Sequence, residues 1–83
     1  MMEKKLVIVD DDMPFRERLG RSMEKKGFLV ETISSYNDCL KRITNESFDY
    51  AVIDMRLEDG SGLELIKKIK EISPNTKSLL LTG

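Results

Sequence analysis

Two short apolar segments of the chain each end on aspartate. Residues 6–9, Leu-Val-Ile-Val, lead into the triplet Asp10-Asp11-Asp12, and residues 51–53, Ala-Val-Ile, lead into Asp54. A short unbroken apolar run is typical of a strand that is buried on both faces, and such strands belong mainly to parallel sheets covered by helices. Ligands of these sheets bind at the carboxyl ends of the strands. The sequence therefore predicts that the aspartates meet at one edge of a sheet.

Several carboxylates in one crevice repel one another unless a cation or bound protons compensate their charge. A hard divalent cation with oxygen ligands is the usual compensator, which favours an Mg2+ site. The alternative for the triplet is a solvated loop with a helix cap, and the alternative for Asp54 taken alone is a turn or cap residue. The coincidence of two strand ends favours the metal site.

The composition excludes several classes of function. Its 14 basic and 15 acidic side chains leave no positive field of the kind that nucleic-acid binding needs. The absence of histidine excludes His-based general base catalysis and His metal sites. Cys39 is the only cysteine, which excludes an internal disulfide and a cysteine cluster for zinc, and we expect an ordinary helix residue there. Carboxylates remain as the groups that can carry chemistry.

We expect a single cytoplasmic domain without membrane contact. A chain of 83 residues is short enough for one domain. Residues 1–5 are charged and lead straight into the first apolar run, so they lack the apolar stretch of a signal peptide. No later apolar run approaches the length that spans a membrane.

Strand and helix patterns alternate along the chain. The predicted strands are residues 6–9, 28–33, 50–54 and 79–81, and the predicted helices are residues 13–26, 36–45 and 63–72. For the third helix, the apolar face is predicted to consist of residues Leu63, Ile66, Ile69 and Ile72, with Leu65 beside them. Residues 55–62 are predicted to form a turn, in which Gly60-Ser61-Gly62 starts the third helix and is not a phosphate-binding loop.

This alternation predicts an α/β fold with right-handed parallel crossovers and a doubly wound sheet. The chain finishes on the apolar strand 79–81, with no helix after it. That strand is therefore a candidate sheet edge, with unpaired backbone groups and exposed apolar side chains. We expect an incomplete domain that forms a homodimer by edge pairing or by exchange of elements between chains.

The acidic triplet, Asp54 and the segment Leu80-Leu81-Thr82-Gly83 together resemble the receiver domain of two-component response regulators. The segment from Asp54 to Leu63 is especially similar to the redox-responsive regulators of the RegA/PrrA type. The resemblance implies a flavodoxin-like sheet with the strand order 2-1-3-4-5. It extends over residues 1–83, which would form a partial receiver domain.

The resemblance also implies a role for individual residues. Asp54 would be the phosphoacceptor that attacks a phosphohistidine of a histidine kinase or a small phosphodonor. Asp11, Asp54 and the backbone carbonyl of Arg56 would bind Mg2+ directly, and Asp10 would act through a metal-bound water. Thr82 would hydrogen-bond the phosphoryl group and move on activation.

The resemblance also bears on Gly83, on Asp12 and on the side chain of Arg56. Gly83 matches the small neighbour that leaves access to the site open. Asp12 is not a ligand position of the family, and it would instead cap the first helix or interact with its positive N-terminal end. The Arg56 side chain either reaches over the site or points to solvent.

Some family features have no counterpart in residues 1–83. They are the lysine and the switch aromatic of the fifth strand, and the fourth and fifth helices. The chain also holds no output domain, so DNA binding would belong to a longer parent protein. A receiver of this kind catalyses its own phosphorylation and is not a turnover enzyme.

Two alternative functions remain open at the level of sequence. A haloacid-dehalogenase-type phosphatase would use Asp10 as nucleophile and Asp12 as acid and base, although the threonine expected just after that motif is missing. A non-phosphorylatable receiver fragment would act as a dimerising or structural module.

Overall fold

The computed structural model describes residues 3–82. The elements are β1 (Lys5–Val9), α1 (Met13–Lys25), β2 (Leu29–Ile33), α2 (Tyr36–Asn45), β3 (Tyr50–Asp54), β4 (Arg56–Leu57), β5 (Gly60–Ser61), α3 (Gly62–Ile72) and β6 (Lys77–Leu81). Four of the strands form one parallel sheet in the order β2-β1-β3-β6. The predicted flavodoxin-like α/β fold is confirmed, and this order matches the first four strands of the implied arrangement.

The core lies around β1, one of the two strands of the sheet that have a neighbour on each side. Residues Leu6 to Val9 of this strand are fully buried, as expected for a strand covered on both faces. Val7 and Val9 pack in one cluster with residues of α2 and α3. Because successive side chains of a strand point to opposite faces, Leu6 and Ile8 face the side that carries α1.

Both ends of α1 are closed by local hydrogen bonds. The Asp12 side chain accepts a hydrogen bond from the Phe15 N–H at its N-terminus, so the predicted cap is confirmed. At the C-terminus, the N–H groups of Gly27 and Phe28 donate to the carbonyls of Glu24 and Met23. The helix ends at Lys25, and β2 begins at Leu29, each one residue from the predicted bound.

The predicted apolar face of α3 is wrong at both ends. The fully buried residues of α3 are Leu65 and Ile69, whereas Leu63 is 48% exposed and Ile72 is 45% exposed. A helix turns about 100° per residue, so a row spaced by three falls behind by about 60° at each step. Leu63 and Ile72 therefore lie on opposite sides of the helix, and only one stretch of the row meets the sheet.

The segment predicted as a turn contains a short antiparallel hairpin, formed by β4 and β5. Arg56 pairs with Ser61 and Leu57 pairs with Gly60. Leu57 is buried in the core, which anchors the hairpin to the domain. Ser61 accepts a hydrogen bond from the Glu64 N–H and caps α3, so the predicted helix start is confirmed.

β6 is an edge strand of the sheet, as predicted. It pairs with β3 and has no second partner among residues 3–82. Leu79, in its centre, is 61% exposed. Within the same residues, no helix is both long and apolar enough to cross a membrane.

The burial pattern of α3 gives a testable difference between two leucines. Leu65→Ala should lower the free energy of unfolding by about 3 kcal/mol, because it leaves a cavity in the core. Leu63→Ala, the matched control on the exposed side, should change it by no more than about 0.5 kcal/mol. Urea denaturation followed by circular dichroism measures both values. Equal losses at the two positions would contradict the assigned face.

Candidate metal centre

Two adjacent strands deliver the acidic side chains to one edge of the sheet. β1 and β3 pair in parallel with Val9 opposite Ile53, so Asp10 and Asp54 follow at the same level. Asp10, Asp11 and Asp54 each place a carboxylate oxygen within 4.8 Å of the others. The three aspartates predicted to form a metal site are therefore brought together.

Asp10 is the most enclosed member of this acidic cluster. Its residue surface is only 6% exposed, and its carboxylate accepts a hydrogen bond of 2.9 Å from the Asp12 N–H. Burial raises the pKa of Asp10 above its usual range, and the negative charges of Asp54 and Asp11 raise it further, while the Asp12 N–H acts in the opposite direction. Without a compensating charge, the ionised form of this carboxyl is disfavoured.

The donor set of the cluster fits a hard divalent cation. It consists of carboxylate oxygens only, which suit Mg2+ or Ca2+ better than a softer metal. A cation held there would offset the repulsion that adds to the effect of burial on the pKa of Asp10. Asp12 is not part of the cluster, in agreement with its role as the cap of α1.

Arg16 is a residue of this region that the sequence reasoning missed. Its guanidinium donates a hydrogen bond of 2.7 Å to the backbone carbonyl of Asp10, and its side chain is only 12% exposed. Its Nε is buried and has no hydrogen-bond partner among residues 3–82. The guanidinium thus brings a positive charge to the strand end that carries the buried carboxylate. A basic residue in the first turn of a helix that follows an acidic triplet was the available sequence signal.

Thr82 lies at the same edge as the acidic cluster. Asp54 pairs with Leu81, and the Met55 N–H donates to the Leu81 carbonyl at 3.0 Å, so Thr82 is the next residue beyond this pairing. It is exposed to solvent. Gly83, the other matched residue at this end, lies outside the described residues.

Arg56 follows Asp54 closely, as the first residue of β4. The residue is exposed to solvent, which is consistent with a side chain that points away from the site. The part of its carbonyl in metal binding stays a prediction.

Gly62 brings the start of α3 against the main chain of Asp54. A Cβ at this position would lie 2.1 Å from the Asp54 carbonyl oxygen, so the backbone there cannot accommodate a side chain. The Gly62 N–H donates to the Met55 carbonyl at 2.8 Å. The sequence assigned this glycine only to a turn. Its packing holds the start of α3 against residues 54–56, which we call the metal loop.

Residues 6–83 match the family model of the response regulator receiver domain. The chain belongs to this family. Over 98% of its length it is 41% identical to the photosynthetic apparatus regulatory protein RegA of Cereibacter sphaeroides, which confirms the resemblance to regulators of that type. The chain spans only 44% of that relative.

Solved receiver structures have the same fold. A CheY-like response regulator receiver domain protein of Methanospirillum hungatei superposes with a TM-score of 0.95 at 33% identity, over 99% of this chain and 66% of that one. A response regulator of Burkholderia pseudomallei superposes with a TM-score of 0.92 at 31% identity, over 98% of this chain and 48% of that one. The latter structure contains a phosphorylated aspartic acid and a calcium ion.

The raised pKa of Asp10 predicts the effect of Asp10→Asn on the metal-free protein. A carboxyl whose pKa is higher in the folded state supports stability below its unfolded pKa of about 3.9, and this support is lost as the pH rises through the folded value. With EDTA at about pH 7, Asp10→Asn should therefore unfold at a higher urea concentration than the wild type.

The amide oxygen of Asn can still accept the Asp12 N–H, so the local hydrogen bond is preserved. The advantage of the variant should shrink as the pH is lowered, because Asp10 becomes neutral in the wild type too. A variant less stable than the wild type at neutral pH would contradict the raised pKa of Asp10 in the folded chain.

Proposed function

We propose that this chain is the phosphoacceptor module of a two-component response regulator, which receives a phosphoryl group from a histidine kinase onto Asp54 with Mg2+. The observation that carries the proposal is the placement of the Asp54 carboxylate within 4.8 Å of those of Asp10 and Asp11, at the carboxyl ends of two adjacent parallel strands. Membership of the receiver family supports the same function.

Asp54 is better suited than Asp10 to act as the nucleophile. Asp54 is half-buried and therefore open to an incoming donor, whereas Asp10 is buried and accepts the Asp12 N–H. For these reasons Asp54 is assigned the covalent step.

In the proposed reaction, a carboxylate oxygen of Asp54 forms a bond to the phosphorus of a phosphohistidine. The P–N bond breaks, and its electron pair returns to the imidazole of the kinase. Asp11, Asp54 and the Arg56 carbonyl would hold Mg2+, and Asp10 would act through a metal-bound water. When bound, the cation neutralises charge on the transferring phosphoryl oxygens. The Thr82 hydroxyl donates a hydrogen bond to the phosphoryl group. The chain itself is modified in this reaction and is not a turnover enzyme.

A haloacid-dehalogenase-type phosphatase is not favoured. Such a phosphatase needs Asp10 as an accessible nucleophile and Asp12 as acid and base. Asp10 is buried, and the Asp12 side chain caps α1 by accepting the Phe15 N–H outside the acidic cluster. The family match also points away from this class.

Phosphorylation by acetyl phosphate and Mg2+ tests the assignment of Asp54. Asp54→Asn should abolish acyl phosphate formation, since the nucleophilic oxygen anion is removed, whereas Asp10→Asn should slow it and leave the label on Asp54. Glu58→Gln, an exposed change nearby, serves as control and should react like the wild type. Intact-protein mass spectrometry gives the extent of labelling. Label that survives the loss of Asp54 and disappears without Asp10 would favour the phosphatase reading.

The regulatory output through DNA is assigned to parts of a longer protein outside this chain. The 14 basic and 15 acidic side chains leave no net positive charge for a DNA surface. The kinase is accordingly the partner proposed for this domain itself.

We further propose that the 83-residue chain forms a homodimer through β6. Among residues 3–82 this strand pairs with β3 alone, and its central residue Leu79 is largely exposed. Edge strands of this kind readily pair with another chain. Burial of Leu79 between two copies would remove its apolar surface from water.

Leu79→Lys should shift the chain from dimer towards monomer, because a charge on an edge strand opposes edge-to-edge pairing. Leu63→Lys, which places the same charge at an exposed leucine of α3, should leave the dimer intact. Light scattering at micromolar concentration gives the mass of each variant. A wild-type chain that is monomeric under these conditions would contradict the homodimer.

A further inference from the structure

The first amides of α2 are capped largely by a distant residue. Asp59 accepts the Tyr36 N–H on one carboxylate oxygen at 2.8 Å and the Asn37 N–H on the other at 3.1 Å. The side chain of the local cap, Ser35, accepts only the Asp38 N–H, at 3.1 Å. The N–H groups of a first helical turn have no partner within the helix, so Asp59 supplies what the local sequence does not.

Asp59 lies at the tip of the hairpin, between β4 and β5. The hydrogen bonds from Asn37 and Tyr36 lower the pKa of Asp59, in keeping with a carboxylate held in its ionised form at a helix N-terminus. The next residue, Gly60, lies on the Tyr36 ring, where an added Cβ would be 2.6 Å from the ring atom Cδ2. The tip therefore contacts α2 through both its carboxylate and its backbone.

The other end of the hairpin belongs to the metal loop. Arg56 pairs with Ser61, and the Gly62 N–H donates to the carbonyl of Met55. Gly62 also packs directly on the Asp54 carbonyl. β4 has only two residues. The tip that contacts α2 therefore follows the Arg56 main chain almost directly along the chain.

An isolated two-stranded hairpin is marginally stable in water, so this short one depends on what it docks against. Leu57 docks it to the core, and Asp59 docks its tip to α2. We propose that Asp59 is a positioning residue that couples the N-terminus of α2 to the metal loop and thereby holds the Arg56 carbonyl in place for Mg2+. This inference rests on the proposed metal site.

Such a coupling must be reciprocal. If the docked tip favours Mg2+ binding, then Mg2+ binding favours the docked tip by the same factor. The Tyr36 and Asn37 amides, which donate to Asp59, should then exchange with solvent more slowly when Mg2+ is bound. A residue that merely capped α2 would stabilise the helix without this response.

The test compares Asp59→Asn with two controls. Asn keeps the shape of the side chain, but its NH2 group cannot accept the second N–H. Glu58→Gln removes the same charge from the neighbouring exposed residue of the tip. Ser35→Ala removes the local cap of α2 and leaves the hairpin untouched. Mg2+ affinity and amide exchange are both read from nitrogen-15 NMR spectra.

In the wild type, Mg2+ should slow exchange at Tyr36 and Asn37. Asp59→Asn should abolish this slowing and weaken Mg2+ binding by about fivefold or more. Glu58→Gln should match the wild type in both respects. Ser35→Ala should speed exchange at Asp38 but bind Mg2+ like the wild type.

Gly60→Ala provides a second route to the same result, because the added methyl group must push the tip away from the Tyr36 ring while Asp59 is retained. It should weaken Mg2+ binding as Asp59→Asn does. Wild-type Mg2+ affinity in Asp59→Asn, or an equal loss in Ser35→Ala, would overturn the coupling alone. A wild-type chain without any response to Mg2+ would overturn the metal site and this inference with it.

Discussion

The main physical constraint on this structure is the repulsion among three carboxylates at one edge of the sheet. Burial of β1 on both faces fixes its direction, and its parallel pairing with β3 fixes the level at which Asp10 and Asp54 emerge. Neither strand can slip without moving apolar side chains out of the core. The charges are therefore held together by hydrophobic burial, at the expense of a raised pKa at Asp10. A divalent cation bound at the cluster would relieve the part of this cost that comes from repulsion.

Elements outside the two strands support this arrangement from three directions. α1 starts directly after the triplet, so Asp12 caps it and Arg16 reaches back to the Asp10 carbonyl. The hairpin of β4 and β5 returns the chain over Asp54, with Gly62 allowing the close approach. The tip of that hairpin contacts the start of α2. The acidic cluster, the metal loop and α2 are thus connected by a short chain of hydrogen bonds and direct packing.

Features that depend on local pattern were predictable from the sequence. The strand ends that carry Asp10 and Asp54 were evident because an apolar run stops on each aspartate, and parallel strands bring such ends together. The cap at Asp12 followed from residue type, and the start of α3 followed from the turn at Gly60-Ser61-Gly62. The row from Leu63 to Ile72 was misassigned for a local reason, because a spacing of three residues does not stay on one side of a helix. The contact of Asp59 with α2 depends on tertiary structure and leaves no mark in the local sequence. The contact of Arg16 with the Asp10 carbonyl had only an indirect signal, a basic residue in the first turn after the acidic triplet.

The central claim is that the carboxylates of the folded chain form a site whose repulsion a divalent cation relieves. The most direct measurement is the urea midpoint of the wild-type chain at neutral pH as a function of Mg2+ concentration, with ionic strength held constant by NaCl. A cation that binds only the folded state raises stability continuously as its concentration exceeds the dissociation constant. The urea midpoint should rise with Mg2+ concentration, and by more than NaCl alone produces. A midpoint that does not respond to Mg2+ would contradict it.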